Sequence, residues 1–145
     1  MHKQLIVSVG LIERDSKYLI TRRLSPKNPQ WHQRWELPGG KIECNETPEE
    51  ALHREIFEET HLLIDSPCLL GVYTHNWEVS TGIQQTFILL YHCLAKQGEV
   101  ILEPQENDDF AWQTLEEMIE RKDLLDGTIK MIQDLAIREP DLTFS

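Results

Sequence analysis

An α/β fold, layered as a sandwich around a mixed β-sheet, is expected for this 145-residue chain on three observations. Strand-like runs rich in β-branched residues dominate. Two pairs of them are separated by short polar turns, and two segments carry apolar residues at helical spacing.

The first pair is LIVSVGLI (5–12) and YLITRR (18–23), joined by Glu13–Lys17 as a hairpin. LSPKNPQWHQR (24–34), with two prolines, reads as a loop. Trp35-Glu36-Leu37 is a short extended piece ended by Pro38-Gly39-Gly40, and PGGKIE reads as loop. Thr47-Pro48-Glu49-Glu50 starts a helix: Thr47 caps, Pro48 suits the first helical position and Glu50 completes a capping box. A second hairpin joins CLLGVYTHNWEV (68–79) to IQQTFILLYHCLA (83–95). FAWQTL (110–115) is a further strand, followed by a short helix to about Arg121. Ile129, Ile132, Leu135 and Ala136 mark a C-terminal helix over 128–138.

The length suits one domain, 1–145, with a core of its own. No apolar run approaches a membrane span, and MHKQLIVSVG reads as a first strand rather than a signal peptide. Cys44, Cys68 and Cys93 show no CxxC pairing, which argues for a reducing cytoplasm. A net charge of −11 opposes binding to nucleic-acid polymers or anionic membranes. It permits a small polyphosphate if divalent cations stand between the two acids.

The helix after Thr47 raises that possibility. Glu55, Glu58 and Glu59 fall at i, i+3 and i+4, so they share one face, while Leu52, Ile56 and Thr60 seat the adjoining face on the sheet. Like charges at this spacing cost roughly 0.2–0.5 kcal/mol per pair on an exposed helix, and more when half-buried. A solvated acidic face is the plain alternative. Against it stand the glycines of PGGKIE, which let a carbonyl point at whatever the carboxylates hold. An all-oxygen donor set without Cys or His suits Mg²⁺ or Mn²⁺.

Gly40, Glu46 and Arg54-Glu55-Ile56-Phe57-Glu58-Glu59-Thr60-His61-Leu62, at their spacing over 23 residues, resemble the Nudix box. One position departs, His61, where the family has Gly ending the helix in a left-handed conformation. Ile20–Arg23 and Trp35–Gly40 resemble the family's MutT-like branch. The resemblance implies a Nudix-type α/β/α sandwich and hydrolysis of a nucleoside diphosphate linked to another group. It implies that Glu55, Glu58, Glu59 and the Gly39 carbonyl are metal ligands, with Mg²⁺ or Mn²⁺. Gly40 and Glu46 would support the box, and Arg54 would pair with Glu46 to orient the cluster. Glu106 would be a further ligand or the base for water, although Glu103, Asp108 and Asp109 compete for that place. Arg22 and Arg23 end a strand near the expected cleft, where either could grip phosphate or stack on a base, a solvated strand end being the plain alternative. Arg23 and Leu37 are the residues expected to bind substrate. For a triphosphate the products would be a nucleoside monophosphate and pyrophosphate.

Asp126 either caps the C-terminal helix or reads a purine edge of the guanine type, including 8-oxo-dGTP. Trp31, Trp77 and Trp112 read first as core, with base stacking as the alternative. His75 and His92 read as packed strand residues. ADP-ribose, dinucleoside polyphosphate and coenzyme A hydrolases are the rival enzymes, and a non-catalytic nucleotide-binding module is the rival class. The expected assembly is a monomer or homodimer.

Overall fold

The computed structural model describes residues 2–138. β1 (Lys3–Arg14) and β2 (Lys17–Arg23) join through Asp15-Ser16, both at positive φ (52° and 65°), the twist a tight hairpin requires. β1 pairs with β2 only next to that turn, at Glu13↔Tyr18 and Arg14↔Lys17. Most of β1 instead lies parallel to β6 (Gly82–Ala95), from Lys3↔Gln84 to Glu13↔Leu94. β6 forms the second expected hairpin with β5 (Ile64–Val79), which begins four residues earlier than its sequence pattern suggested. β2 carries β3 (Trp35–Glu36) and β7 (Asn107–Gln113), both antiparallel.

One element differs from expectation. Gly39–Lys41 is not loop but a short strand, β4, paired with β1 at Val7↔Lys41, Ser8↔Gly40 and Val9↔Gly39. The approach is closer than any side chain allows. A Cβ on Gly39, whose φ is +153°, would lie 2.1 Å from the Ser8 carbonyl oxygen. A Cβ on Gly40 would meet the Glu55 carboxylate at 2.4 Å.

The sheet is covered on both faces. α1 (Pro48–Thr60) buries Ala51, Leu52, Ile56 and Thr60, and Leu52 and Ile56 pack with Ile12, Leu19, Tyr91 and Cys93. Each such fully buried aliphatic side chain contributes about 1.5–3 kcal/mol. The opposite face packs Leu11, Ile20, Ile88 and Leu90 against Met118 of α2 (Leu115–Ile119) and Met131, Ile132 and Leu135 of α3 (Asp126–Arg138). Neighbouring residues such as Leu11 and Ile12, or Leu19 and Ile20, thus enter different cores, as strand alternation dictates. The result is an α/β/α sandwich around a mixed sheet.

α1 starts as its sequence indicates, with Thr47 as N-cap in a capping box with Glu50 and with Pro in the first turn. It ends at His61, which is left-handed (φ 62°, ψ 13°) and donates its backbone N–H to Phe57 O at 2.9 Å. The His61 ring adds a contact that a glycine lacks: Nδ1 lies 2.8 Å from the carbonyl oxygen of Ile101.

Two pairs of substitutions check these packing arguments by denaturation. His61→Ala keeps the left-handed strain and loses the Ile101 contact, so it should cost about 1 kcal/mol. His61→Gly loses the contact but also the strain, leaving stability within about 1 kcal/mol of the parent; equal losses for both would refute the balance. Gly39→Ala, which meets backbone, should cost about 3 kcal/mol or more. Gly40→Ala meets only the end of a side chain and should stay folded; an equal loss for both glycines would contradict the geometry.

Candidate active site

α1 and β4 place the acidic side chains beside β2 and the start of β7. There an acidic cleft of about 380 Å³ is lined by Arg23, Glu36, Gly39, Gly40, Glu55, Glu59, Glu106 and Asn107, among others. Glu59 lies deepest. Burial, then the nearby Glu36, holds its pKa well above the ordinary carboxylate value, opposed by the Gly39 N–H that donates to its Oε2 at 3.1 Å. Burial also raises Glu55, against the pull of Arg54.

Arg54 braces the cleft from behind. Its Nε and Nη2 donate to the two Glu46 carboxylate oxygens at 2.5 and 2.9 Å, Nη1 to Glu55 at 2.9 Å, and Nη2 also to Lys41 O at 3.0 Å. The same hydrogen bonds lower the Glu46 pKa to about 2 and raise that of Arg54.

The expected single face of three carboxylates needs correction. Glu55 and Glu59 enter the cleft, but Glu58 is 58% exposed and turned back to Arg54 at 3.3 Å. At about 100° per residue, Glu58 lies on the outer side of Glu55 and Glu59 on the sheet side.

Among its acidic rivals, Glu106 alone lines the cleft. Asp108 is paired with Arg22 at 2.8 Å, Asp109 accepts the N–H of Phe110, and Glu103 that of Gln105. Glu106 is fixed by its backbone, whose carbonyl accepts the N–H of Leu24 at 2.8 Å.

The donor set is all oxygen, and its members repel one another in a half-buried place. That chemistry fits a hard divalent cation as counter-charge. Among the described residues, however, no three His, Cys, Asp or Glu side chains are already gathered into a metal site. Arg54 engages Glu55 and Glu58, and the Gly39 N–H holds Glu59.

Beside this cleft a second hollow, also about 380 Å³, is mostly apolar, with Val7, Leu37, Ile88 and Met131 in its wall. Leu37, only 2% exposed, is among the residues that line it. Trp31 and Trp77 also form its wall, edge to face at 5.7 Å, so they border a cavity rather than only filling the core. Trp112 packs against the α1-side core under Arg14. Two buried polar atoms of this hollow's lining residues have no protein partner, Trp31 Nε1 and Thr86 Oγ1.

Asp126 is the first residue of α3 and is exposed; its neighbours Leu125 and Gly127 line the hollow, but Asp126 itself does not. No hydrogen bond from its side chain supports the capping role.

The two hollows share Arg23, Glu36, Gly39 and Gly40. Arg23 is forked onto Glu36 at 2.6 and 2.8 Å and lies 5.8 Å from the Trp31 ring centroid. Sequence reasoning passed over Glu36, although it sits within the WELPGG motif. It also passed over Asn107 and Thr86, which carry no local signal.

Comparison with known proteins agrees with this architecture. A family model described as the NUDIX domain matches residues 2–135. An ADP-ribose pyrophosphatase of Methanocaldococcus jannaschii is 49% identical over 65 residues, 45% of this chain and 37% of that protein. An 8-oxo-dGTP diphosphatase of Proteus vulgaris is 37% identical over 76 residues, covering 52% and 66%. A CTP pyrophosphohydrolase of Escherichia coli is 32% identical over 118 residues, covering 81% and 82%. Among solved structures, a MutT NUDIX hydrolase from Burkholderia pseudomallei superposes with a TM-score of 0.76 at 27% identity, covering 90% and 96%. With the box residues in place around an acidic cleft, the chain belongs to the Nudix family, on its MutT-like side.

Proposed function

We propose that this Nudix hydrolase cleaves a nucleoside triphosphate to nucleoside monophosphate and pyrophosphate, with Mg²⁺, replaceable by Mn²⁺, as its cofactor. One observation carries the reading: an apolar hollow for a base adjoins a carboxylate-lined cleft, with Arg23 and the glycine pair in their common wall. A nucleotide laid across that wall would place its base among Leu37, Trp31 and Trp77, and its phosphates before Glu55, Glu59 and Glu106. A bound divalent cation would neutralise the diphosphate and lower the pKa of a bound water. Glu55, Glu59, Glu106 and the Gly39 carbonyl would hold it, with Glu58 as the outer member of the set. Arg54 and Glu46 would keep Glu55 in register. Arg23, at the junction, would bind phosphate in exchange for its bond to Glu36. Glu106 would serve as ligand or as base for the attacking water.

The three relatives differ in what their names say they hydrolyse, so the base preference rests on this chain's own residues. Asp126 stands next to the wall of the apolar hollow, and its carboxylate could accept the N1–H and exocyclic amine of guanine. A base lacking those donors would leave the acid without that pairing. The preferred substrates are therefore purine triphosphates, guanine or 8-oxo-dGTP first. The chain would act as a single domain in the cytoplasm, as a monomer or homodimer; its free cysteines, Cys44, Cys68 and Cys93, support a reducing compartment. No helix among the described residues is long and apolar enough to cross a membrane.

Two measurements test this. Glu55→Gln and Glu59→Gln should lower turnover at saturating Mg²⁺ by about 10²-fold or more, because the cation loses a ligand. Relief of repulsion should leave metal-free melting temperatures equal or higher; near-normal turnover in both variants would sink the assignment. A panel of purine and pyrimidine triphosphates and ADP-ribose should show guanine nucleotides leading. Asp126→Ala should reduce kcat/KM for the best purine by about 10-fold or more beyond its effect on a pyrimidine, the loss of one good base contact. A panel led by CTP or ADP-ribose, or a uniform loss, would remove Asp126 as the reader.

A further inference from the structure

We propose that Asn107 is a positioning residue of the acidic cleft, whose carboxamide oxygen accepts a hydrogen bond from a water of the bound cation's shell. The proposal rests on the metal-dependent reading above and assigns a residue outside the box. Between β2 and β7 the pairing register slips: Arg22 faces Asp109 and Arg23 faces Asn107, leaving Asp108 as the extra residue of a bulge. Bulges re-aim side chains. Here Asp108 turns outward into a two-bond pair with Arg22, at 2.8 and 3.1 Å. Asn107 goes the other way: it is 4% exposed and lines the cleft with Glu36, Glu55, Glu59 and Glu106.

Its orientation is fixed. Nδ2 donates to the Arg22 carbonyl at 3.2 Å, so the other end of the amide is the oxygen. That Oδ1 is buried and has no partner in the protein. A buried acceptor without a donor is costly, and such atoms are rare in folded chains. None of the cleft's side chains donates to it: the Arg23 Nε and Nη2 groups are given to Glu36, and an ionised carboxylate only accepts. A hydrated Mg²⁺ supplies the missing donor, because it brings several polarised O–H groups into the cleft. A neutral oxygen suits the task, because it orients such a water without adding a charge to an already crowded set.

The test uses the full chain without substrate. Asn107→Leu keeps the volume and removes the acceptor. Titration with Mn²⁺, followed by electron paramagnetic resonance, should show about 10-fold weaker binding, the usual scale for outer-shell partners. With substrate present, kcat should fall while KM stays nearly constant. On the wild-type chain, the Asn107 side-chain amide resonances should shift on adding Mg²⁺ along the same isotherm as the Gly39 backbone amide. This second measurement stands even if the leucine variant does not fold. Unchanged Mn²⁺ affinity and kcat in a folded Asn107→Leu variant, or an Asn107 amide that stays still while Gly39 moves, would overturn the role and leave hydrolysis standing. A wild type that binds Mn²⁺ but hydrolyses no nucleotide would remove the hydrolysis while leaving Asn107 to be judged on affinity alone.

Discussion

The fork of Arg54 holds together a group of carboxylates that would otherwise repel one another. It reaches both Glu46 oxygens, Glu55, Glu58 and the Lys41 carbonyl, tying the segment after β4 to the middle of α1. Lysine, a point charge with no planar fork, could not satisfy these partners at once. From the other side Glu55 fits only because Gly40 has no Cβ, and Glu59 is held by the Gly39 N–H. The glycine pair and the arginine thus act on the same carboxylates from opposite directions. Pairing of β4 with β1 sets the distance between them.

The local part of this arrangement was legible in the sequence. The Thr47–Glu50 cap, the buried Leu52–Ile56–Thr60 face and the left-handed His61 each depend on residues a turn apart, where spacing carries the information. The non-local part was not. The parallel run of β1 along β6 joins residues some eighty positions apart, and nothing in either strand's alternation names its partner. β4 was hidden because two glycines read as loop, whereas they mark a backbone approach too close for side chains. The outward turn of Glu58 follows from the same helical geometry that grouped it with Glu55. Shared spacing places side chains near one face, but only packing decides which of them look inward.

The bulge at Asp108 illustrates a different limit. EPQENDDF offers four acids and two amides, and composition cannot rank them. One extra residue in β7 does so. It sends Asp108 to Arg22 and Asn107 inward, and the backbone of Glu106 is anchored to Leu24. Likewise Trp31 and Trp77 are large apolar residues that sequence reasoning assigns to a core. Trp77 is buried and Trp31 half-buried, and the two meet edge to face in the wall of a hollow.

The common wall between the two hollows has a consequence for how such a molecule could change. Among the described residues, only Arg23, Glu36, Gly39 and Gly40 belong to both. The rest of the apolar hollow comes from β1, β5, β6, Leu37, Lys41, the loop bearing Trp31 and the start of α3 with the residue before it. The rest of the acidic cleft comes from α1, Leu24 and Ser25 after β2, and the segment from Gln105 into the start of β7. A replacement at Ile88, Met131 or Thr86 would alter what shape and polarity of ring is welcomed without touching a carboxylate. The molecule is built like a tool with an exchangeable jaw, and four residues form the only hinge pin that both parts must keep in common.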